Sequence, residues 1–149
     1  MGNRDEDYVT GLCDQVLNLK AERRKTFDFL RGDPGKNGVG RKLPVDAYYE
    51  TLELVIEYRE RQHTEPVPFL DKRQTCSNCG RGEQRRRYDQ RRRDILLEHG
   101  IHLIEIDYRS LSHNGRKRLI RNTSADELAI RGILADVLGN DHGHLSRIR

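Results

Sequence analysis

Apolar residues recur every three or four positions in three parts of the chain, and this spacing predicts three helices. The predicted helices cover Tyr8–Arg24, Glu83–His99 and Ser124 to about Leu138. Gly100 follows the second helix, at the position where glycine commonly ends a helix. The third helix opens with Ser124 and Glu127 at the spacing of a capping box.

Shorter apolar segments predict strands. They are Thr26–Leu30, a hairpin within Lys42–His63 that turns near Glu50–Glu53, and Ile101–Tyr108. Arg31–Arg41 contains four glycines and a proline, so we expect a loop there, and it lacks the spacing of a phosphate-binding P-loop. Thr64–Gln84 is expected to be an irregular insertion. The resulting order, α–β–β–β–α–β–α, predicts an α/β fold with a mixed sheet flanked by helices.

The alternation within the hairpin predicts its register. With the turn centred on Thr51–Leu52, one face carries three opposed pairs, which are Val45 with Tyr58, Ala47 with Ile56, and Tyr49 with Leu54. These side chains are apolar or aromatic, so this face is the expected core side. On the other face Asp46 lies opposite Glu57, with Cβ atoms about 4.5–5.5 Å apart. The side chain of Arg59 is expected on this same face.

Composition limits the class of protein. The chain has 149 residues, so we expect one domain over 1–149, with a core at about 8–138 and a frayed or disordered tail over 139–149. Hydrophobic residues make up 34%, and no apolar run approaches the roughly 20 residues of a membrane span. The acidic start does not suit a signal peptide, and three cysteines do not make a disulfide framework. We therefore expect a cytoplasmic protein with reduced thiols.

Two carboxylates held side by side repel each other. A raised pKa on one acid, or a divalent cation between them, would relieve the repulsion of Asp46 and Glu57. Oxygen ligands of this kind suit Mg²⁺ or Mn²⁺. The alternative is a solvated face on which Arg59 pairs with the acids, and the spacing alone leaves both interpretations open.

These residues resemble a nuclease signature. Pro44-Val45-Asp46, a hairpin, and then Glu57-Tyr58-Arg59 are similar to the PD-(D/E)XK motif, with arginine where lysine is usual. The surrounding sequence more closely resembles the very-short-patch repair (Vsr-like) endonuclease branch and its phage, homing and restriction-like relatives. The shared features span about residues 40–108 and are Asp46, Glu57, Gln62-His63, Asp89-x-x-Arg92, Leu96 and Gly100.

The resemblance implies a restriction-endonuclease-like fold and metal-dependent hydrolysis of DNA. Asp46 and Glu57 would hold Mg²⁺ or Mn²⁺. Arg59 cannot accept a proton, so its expected role is to hold phosphate or to stabilise the transition state. His63 can titrate near neutral pH and is the preferred general base, with Gln62 orienting a ligand or water.

The same branch also implies a further acid from the first helix and a structural zinc. For the acid, Asp14 and Glu22 are the candidates. Cys76 and Cys79 have the spacing of half a zinc site, which needs two more ligands. The two remaining ligands would have to be brought close by the tertiary structure, and the candidates are Cys13, His63, His99, His102 and His113. The alternative is a polar turn with two reduced thiols.

Positive charge is concentrated in one stretch. Seven arginines and two acids between Arg81 and Arg93 give this stretch a net charge of +5, whereas the whole chain carries +4. Arginine binds backbone phosphate bidentately and releases counterions from it. We therefore expect nucleic-acid contacts from Arg85, Arg86, Arg87, Arg91, Arg92 and Arg93, with a solvated basic face as the alternative.

The sequence thus predicts a Mg²⁺-dependent DNA endonuclease of a repair, restriction or mobile-element type. The second hypothesis is a non-catalytic nucleic-acid-binding module on the same fold. The third is one domain of a larger repair or restriction assembly. DNA is the expected partner, RNA is not excluded, and no membrane partner is expected. Specificity would come from the segments Arg31–Arg41 and Thr64–Gln84, or from a homodimer.

Overall fold

A computed structural model describes residues 4–36, 38–59, 74–76 and 79–138. The helices are α1 (Arg4–Leu17), α2 (Arg81–Glu98) and α3 (Thr123–Ile133). The strands are β1 (Glu22–Lys25), β2 (Arg31–Pro34), β3 (Gly40–Lys42), β4 (Val45–Tyr49), β5 (Leu54–Arg59), β6 (Gln74–Cys76), β7 (Cys79–Gly80) and β8 (His102–Asp107). None of the helices in these ranges has the length and apolar content needed to cross a bilayer.

The centre of the fold is a four-stranded mixed sheet with the order β1-β4-β5-β8. β4 is antiparallel to both β1 and β5, and β8 is parallel to β5. A single 3₁₀ turn, Glu50–Leu52, joins β4 to β5. Ala47 pairs with Ile56 and Tyr49 pairs with Leu54, which confirms the predicted register and turn.

Helices cover both faces of this sheet, so the predicted α/β class and the flanking helices are confirmed. α1 and α3 contribute to a buried cluster on one face, with members that include Val9, Leu12, Ile56, Ile106 and Ile130. On the other face, Leu96 of α2 is buried in a second cluster with Tyr48 and Val55. The acidic and basic side chains discussed below lie mainly on this second face.

Five of the six predicted core-face residues of the hairpin belong to the first cluster. Val45 does not, because it packs in the second cluster with Leu30 and Leu43. It lies beyond Ala47, where the regular pairing of β4 with β5 ends.

The strand predicted over Thr26–Leu30 is wrong, because the strand precedes it at β1. Phe27 and Phe29 stack with ring centroids 5.0 Å apart, and the amide of Leu30 donates to the carbonyl oxygen of Phe27. The alternating apolar residues of this segment therefore reflect side chains packed around a turn.

The predicted loop over Arg31–Arg41 is instead a two-stranded hairpin, β2–β3. Its glycines allow the two backbones to approach. A Cβ on Gly40 would lie 2.1 Å from the carbonyl oxygen of Gly32, and a Cβ on Gly32 would lie 2.8 Å from the Tyr88 hydroxyl. The glycine content that suggested a loop is thus what lets this hairpin pair and pack.

Helix boundaries also differ from the predictions. α1 begins four residues before Tyr8 and ends at Leu17, after which Asn18 has a φ of 55°. The N-cap of α3 is Asn122, whose side chain accepts from the amide of Ala125, and not Ser124. The ending of α2 is confirmed, since Gly100 has a φ of 71°.

Two predicted segments lie wholly or largely outside the described residues. They are the tail over 139–149 and most of the insertion over 64–84. Within that insertion β6 pairs with β7, and α2 begins at Arg81.

Candidate active site

Asp46 and Glu57 meet where the ladder between β4 and β5 ends. The backbone amide of Asp46 donates to Glu57 Oε2 at 2.7 Å, and the amide of Tyr58 donates to Asp46 Oδ2 at 2.8 Å. Each carboxylate therefore takes the place that a backbone carbonyl would hold in a regular ladder. The two side chains are thereby held next to each other, as the register predicted.

Glu57 is a buried carboxylate, with 4% of its surface exposed. Burial, and after it the neighbouring charge of Asp46, raise its pKa to about 7. The Arg92 cation, the hydrogen bond from the Asp46 amide and the Arg59 cation oppose this rise. Glu57 therefore changes its protonation state near neutral pH.

A third carboxylate, Glu6, joins this pair from the first turn of α1. Its side chain lies within hydrogen-bonding reach of Asp46. Burial and then the Asp46 charge raise the pKa of Glu6 to about 7, while Arg24 lowers it. Glu6, Asp46 and Glu57 thus form a row of three interacting acids, which we call the acidic row.

The two acids that the sequence indicated on or near this helix lie elsewhere. Asp14 accepts from the Tyr49 hydroxyl at 2.6 Å and from the amide of Ala21. Glu22 is exposed on β1 and pairs with Lys25 at 3.5 Å. Glu6 was missed because the apolar periodicity starts only at Tyr8. The available signal was the run Asp5–Asp7, since acids favour a helix N-terminus.

The acidic row presents carboxylate oxygens alone, which are the donors that hard divalent cations favour. Over 4–36, 38–59 and 79–138, no three His, Cys, Asp or Glu side chains converge at the spacing of a complete metal cage. Mg²⁺ usually binds through one or two carboxylates and completes its shell with water and substrate phosphate. The residues present therefore fit Mg²⁺ or Mn²⁺ in that mode.

Arg59 lies behind the acidic row and is 6% exposed. Its Nη1 donates to Asp89 at 2.8 Å, its Nε donates to Glu105 Oε2 at 2.6 Å, and its Nη2 also contacts Glu105. Glu105 is the residue of β8 that pairs with Glu57 in the sheet. The guanidinium group is therefore engaged on both sides by carboxylates of the protein.

α2 supplies Asp89 and Arg92 to the same region. The two residues are one helical turn apart, and Arg92 Nη1 donates to Asp89 at 3.2 Å. Arg92 Nε lies 3.8 Å from Glu57 Oε1. Asp89 therefore holds two arginines, one from β5 and one from its own helix.

The other arginines of α2 form pairs that the sequence did not indicate. Arg87 and Arg91 both bind Asp33 of the β2–β3 hairpin, at 2.7 and 2.8 Å. Arg93 binds Glu105 at 2.9 Å. Two further arginines lie on the same helix, of which Arg85 is half-buried and Arg86 is exposed. Arg87, Arg91 and Arg93 are thus paired with acids outside the run, and Arg87 and Arg91 share the single charge of Asp33.

The described part of the chain does not include the side chains of four predicted site residues. Gln62 and His63 lie outside the described residues, as do the side chains of Cys76 and Cys79. Of the suggested zinc partners, Cys13 is fully buried in the first cluster, and burial raises its thiol pKa to about 12. His99 stacks on Phe29 at 3.6 Å, and His113 Nδ1 bonds the carbonyl oxygen of Leu111. These three side chains have other packing or hydrogen-bonding partners.

Comparison of this chain with protein-family models, curated proteins and solved structures found no match.

Proposed function

We propose that this chain is a divalent-metal-dependent endonuclease that hydrolyses DNA phosphodiester bonds on a restriction-endonuclease-like fold. The observation that carries the proposal is the reciprocal hydrogen bonding that fixes the Asp46 and Glu57 carboxylates side by side. Like charges opposed across two strands destabilise a hairpin. A cation bound by both carboxylates would offset this repulsion.

The topology supports the same assignment. Asp46 is on the second strand of the central sheet, counted from β1, and Glu57 and Arg59 are on the third. The following helix brings Asp89 and Arg92 to Arg59 and Glu57. The motif residues that resemble the PD-(D/E)XK signature are therefore neighbours in space as well as in order.

Asp46 and Glu57 would hold Mg²⁺ or Mn²⁺, with Glu6 beside Asp46 as a further acid. The bound ion would polarise the phosphodiester and lower the pKa of an attacking water. The Asp46 amide and the Arg92 cation favour the ionised form of Glu57, which is the form that ligates. His63 remains our preferred general base because imidazole titrates near neutral pH, with Gln62 orienting a ligand or water.

DNA would bind along α2. Arg87 and Arg91 are presented on one side of the helix beside the hairpin, and both are already arranged around a carboxylate, Asp33. Phosphate accepts the same bidentate arginine bonds as a carboxylate. Arg85 and Arg86 would extend this contact along the helix.

A second candidate, a non-catalytic nucleic-acid-binding module, is favoured by one observation. Arg59, which stands where the nuclease signature has lysine, is committed to Asp89 and Glu105. A module of this kind would bind DNA through α2 without cutting it.

A cleavage panel separates the two candidates. Purified protein is incubated with plasmid, mismatched and branched DNA and with RNA, in Mg²⁺, Mn²⁺ or chelator. We expect metal-dependent cleavage of DNA that Asp46→Asn and Glu57→Gln each abolish, whereas the exposed control Glu22→Gln leaves it intact. Binding without cleavage under all conditions would favour the non-catalytic module. Cleavage that persists in both site variants would refute the assignment.

A further inference from the structure

Arg92 carries a buried polar atom without a hydrogen-bond partner. Its Nε is shielded from solvent and donates to no acceptor within the part of the chain that the structure describes. Glu57 Oε1 is 3.8 Å away, which is too long for a hydrogen bond. A buried N–H that donates to nothing costs free energy, so an arginine held in this state needs an explanation.

The guanidinium group of Arg92 is anchored through Nη1, while its Nε has no acceptor among the described residues. Nη1 is anchored to Asp89 at 3.2 Å, and the side chain is 15% exposed, compared with 8% for Arg59. Asp89 is itself buried and is already bound to Arg59. The anchor thus orients Arg92 with its Nε facing the acidic row.

Arg59 is poorly placed to contact a substrate, because each of its three nitrogens already binds Asp89 or Glu105. Releasing it would leave two carboxylates without their cation in a poorly hydrated site, which is costly. Among the described residues, the cation beside Glu57 that retains an unused buried donor is therefore Arg92 and not the arginine of the signature.

We infer that Arg92 is the catalytic cation of this site and that its guanidinium group contacts the scissile phosphate beside Glu57. This inference rests on the proposed nuclease function. Arg92 Nε would donate to a non-bridging phosphate oxygen and offset the charge that develops there during hydrolysis. Asp89 is the positioning residue, since it holds Arg92 against Glu57 and keeps Arg59 in the salt bridge behind it.

The test compares Arg92→Gln with Arg131→Gln on α3, an exposed arginine that pairs with Glu127. Single-turnover DNA cleavage, DNA affinity in chelator and Mn²⁺ affinity are measured for each, with thermal unfolding as the control for folding. We expect Arg92→Gln to slow cleavage by about 100-fold or more, the usual effect of losing one charge-stabilising donor. We expect its Mn²⁺ affinity to stay at or above that of the wild type, and Arg131→Gln to cleave within about 3-fold of wild type.

A folded Arg92→Gln protein that cleaves like the wild type would overturn the inference and leave the nuclease assignment standing. Loss of Mn²⁺ binding in that variant would also overturn it, because Arg92 would then act only by organising the acids. If Arg92→Gln does not fold, Arg92→Lys decides, since it keeps the charge but loses the planar donor set. A fall in rate with unchanged Mn²⁺ affinity supports the inference, and a wild-type rate overturns it. A wild-type protein that cleaves nothing refutes the proposed function and, with it, this inference.

Discussion

The backbone amide of Asp46 donates to the side chain of Glu57, while the carboxylate of Asp46 accepts from the amide that follows Glu57. The strand of each residue thus donates a backbone hydrogen bond to the carboxylate of the other, and these two bonds hold the mutually repelling acids together. Burial and this proximity raise the pKa of Glu57 to about 7, so the pair carries its full charge only above neutral pH.

Stability should fall as the pH rises through this range. An ordinary glutamate has a pKa near 4.5, so between about pH 4.5 and 7 the folded protein holds a proton on Glu57 that the unfolded chain has lost. The stability that this proton contributes is therefore fully present below this window and lost above it. In chelator, we expect Glu57→Gln to unfold at roughly 5 °C above wild type at pH 8 and close to it at pH 5, since about 1 kcal/mol moves the Tm by about 2–4 °C at this size.

Thermal unfolding followed by circular dichroism from pH 5 to pH 8 measures this difference. The exposed Glu22→Gln variant should track the wild type at every pH. Parallel curves for Glu57→Gln and wild type would mean that Glu57 has an ordinary pKa in the folded protein.

Glu6 should contribute to divalent-metal affinity. Because its carboxyl group neighbours Asp46, Glu6→Gln is expected to weaken Mn²⁺ binding by about 10-fold at pH 8, the lower end of the usual effect of residues that support a ligand. The wild-type affinity should also rise with pH through 7, as protons leave Glu6 and Glu57. Calorimetric titration with Mn²⁺ measures both effects. Equal affinities for wild type and Glu6→Gln would remove Glu6 from the site.

Asp33 should compete with phosphate for Arg87 and Arg91. We expect Asp33→Asn to raise affinity for duplex DNA by about 3- to 10-fold at low salt and to steepen its fall with salt, because two cations lose their internal partner. Fluorescence anisotropy over a salt series measures this affinity and its salt dependence. The control is Asp28→Asn, which makes the same charge change at a carboxylate that pairs with Lys42. Equal gains in the two variants would show a general charge effect rather than a local one.

The β2–β3 hairpin should be intolerant of a side chain at Gly40. A Cβ there meets the backbone oxygen of Gly32 at 2.1 Å, so Gly40→Ala is expected to cost about 1–3 kcal/mol. Gly11 offers the opposite case, since it lies within α1 and its added Cβ meets nothing within 4 Å. Gly11→Ala should stabilise by about 0.5–1 kcal/mol. Urea unfolding of both variants tests this, and a neutral Gly40→Ala would contradict the close approach of the two strands.

The sequence predicted the parts of the fold in which the spacing of apolar residues along the chain indicates which side chains are buried. The β4–β5 register followed from alternation over Val45–Tyr58, since a one-residue slip would turn every core side chain outward. The same register placed Asp46 beside Glu57. The ending of α2 followed from Gly100, which has the positive φ that glycine tolerates.

The remaining features depend on contacts distant in sequence. Arg87 and its partner Asp33 are 54 residues apart, and Arg59 and Asp89 are 30 apart. No local pattern indicates such pairs, so the arginine run was interpreted as a surface free to bind phosphate. Glu6 lies in a helical turn without apolar residues of its own, so periodicity could not place it beside Asp46.

Mn²⁺ binding followed by electron paramagnetic resonance tests the claim that Asp46 and Glu57 together hold a divalent cation. At pH 8 we expect the wild type to bind Mn²⁺ in a way that Mg²⁺ displaces, and we expect Asp46→Asn and Glu57→Gln to lose this binding while Glu22→Gln keeps it. Absence of binding in the wild type, or undiminished binding in both site variants, would contradict the claim.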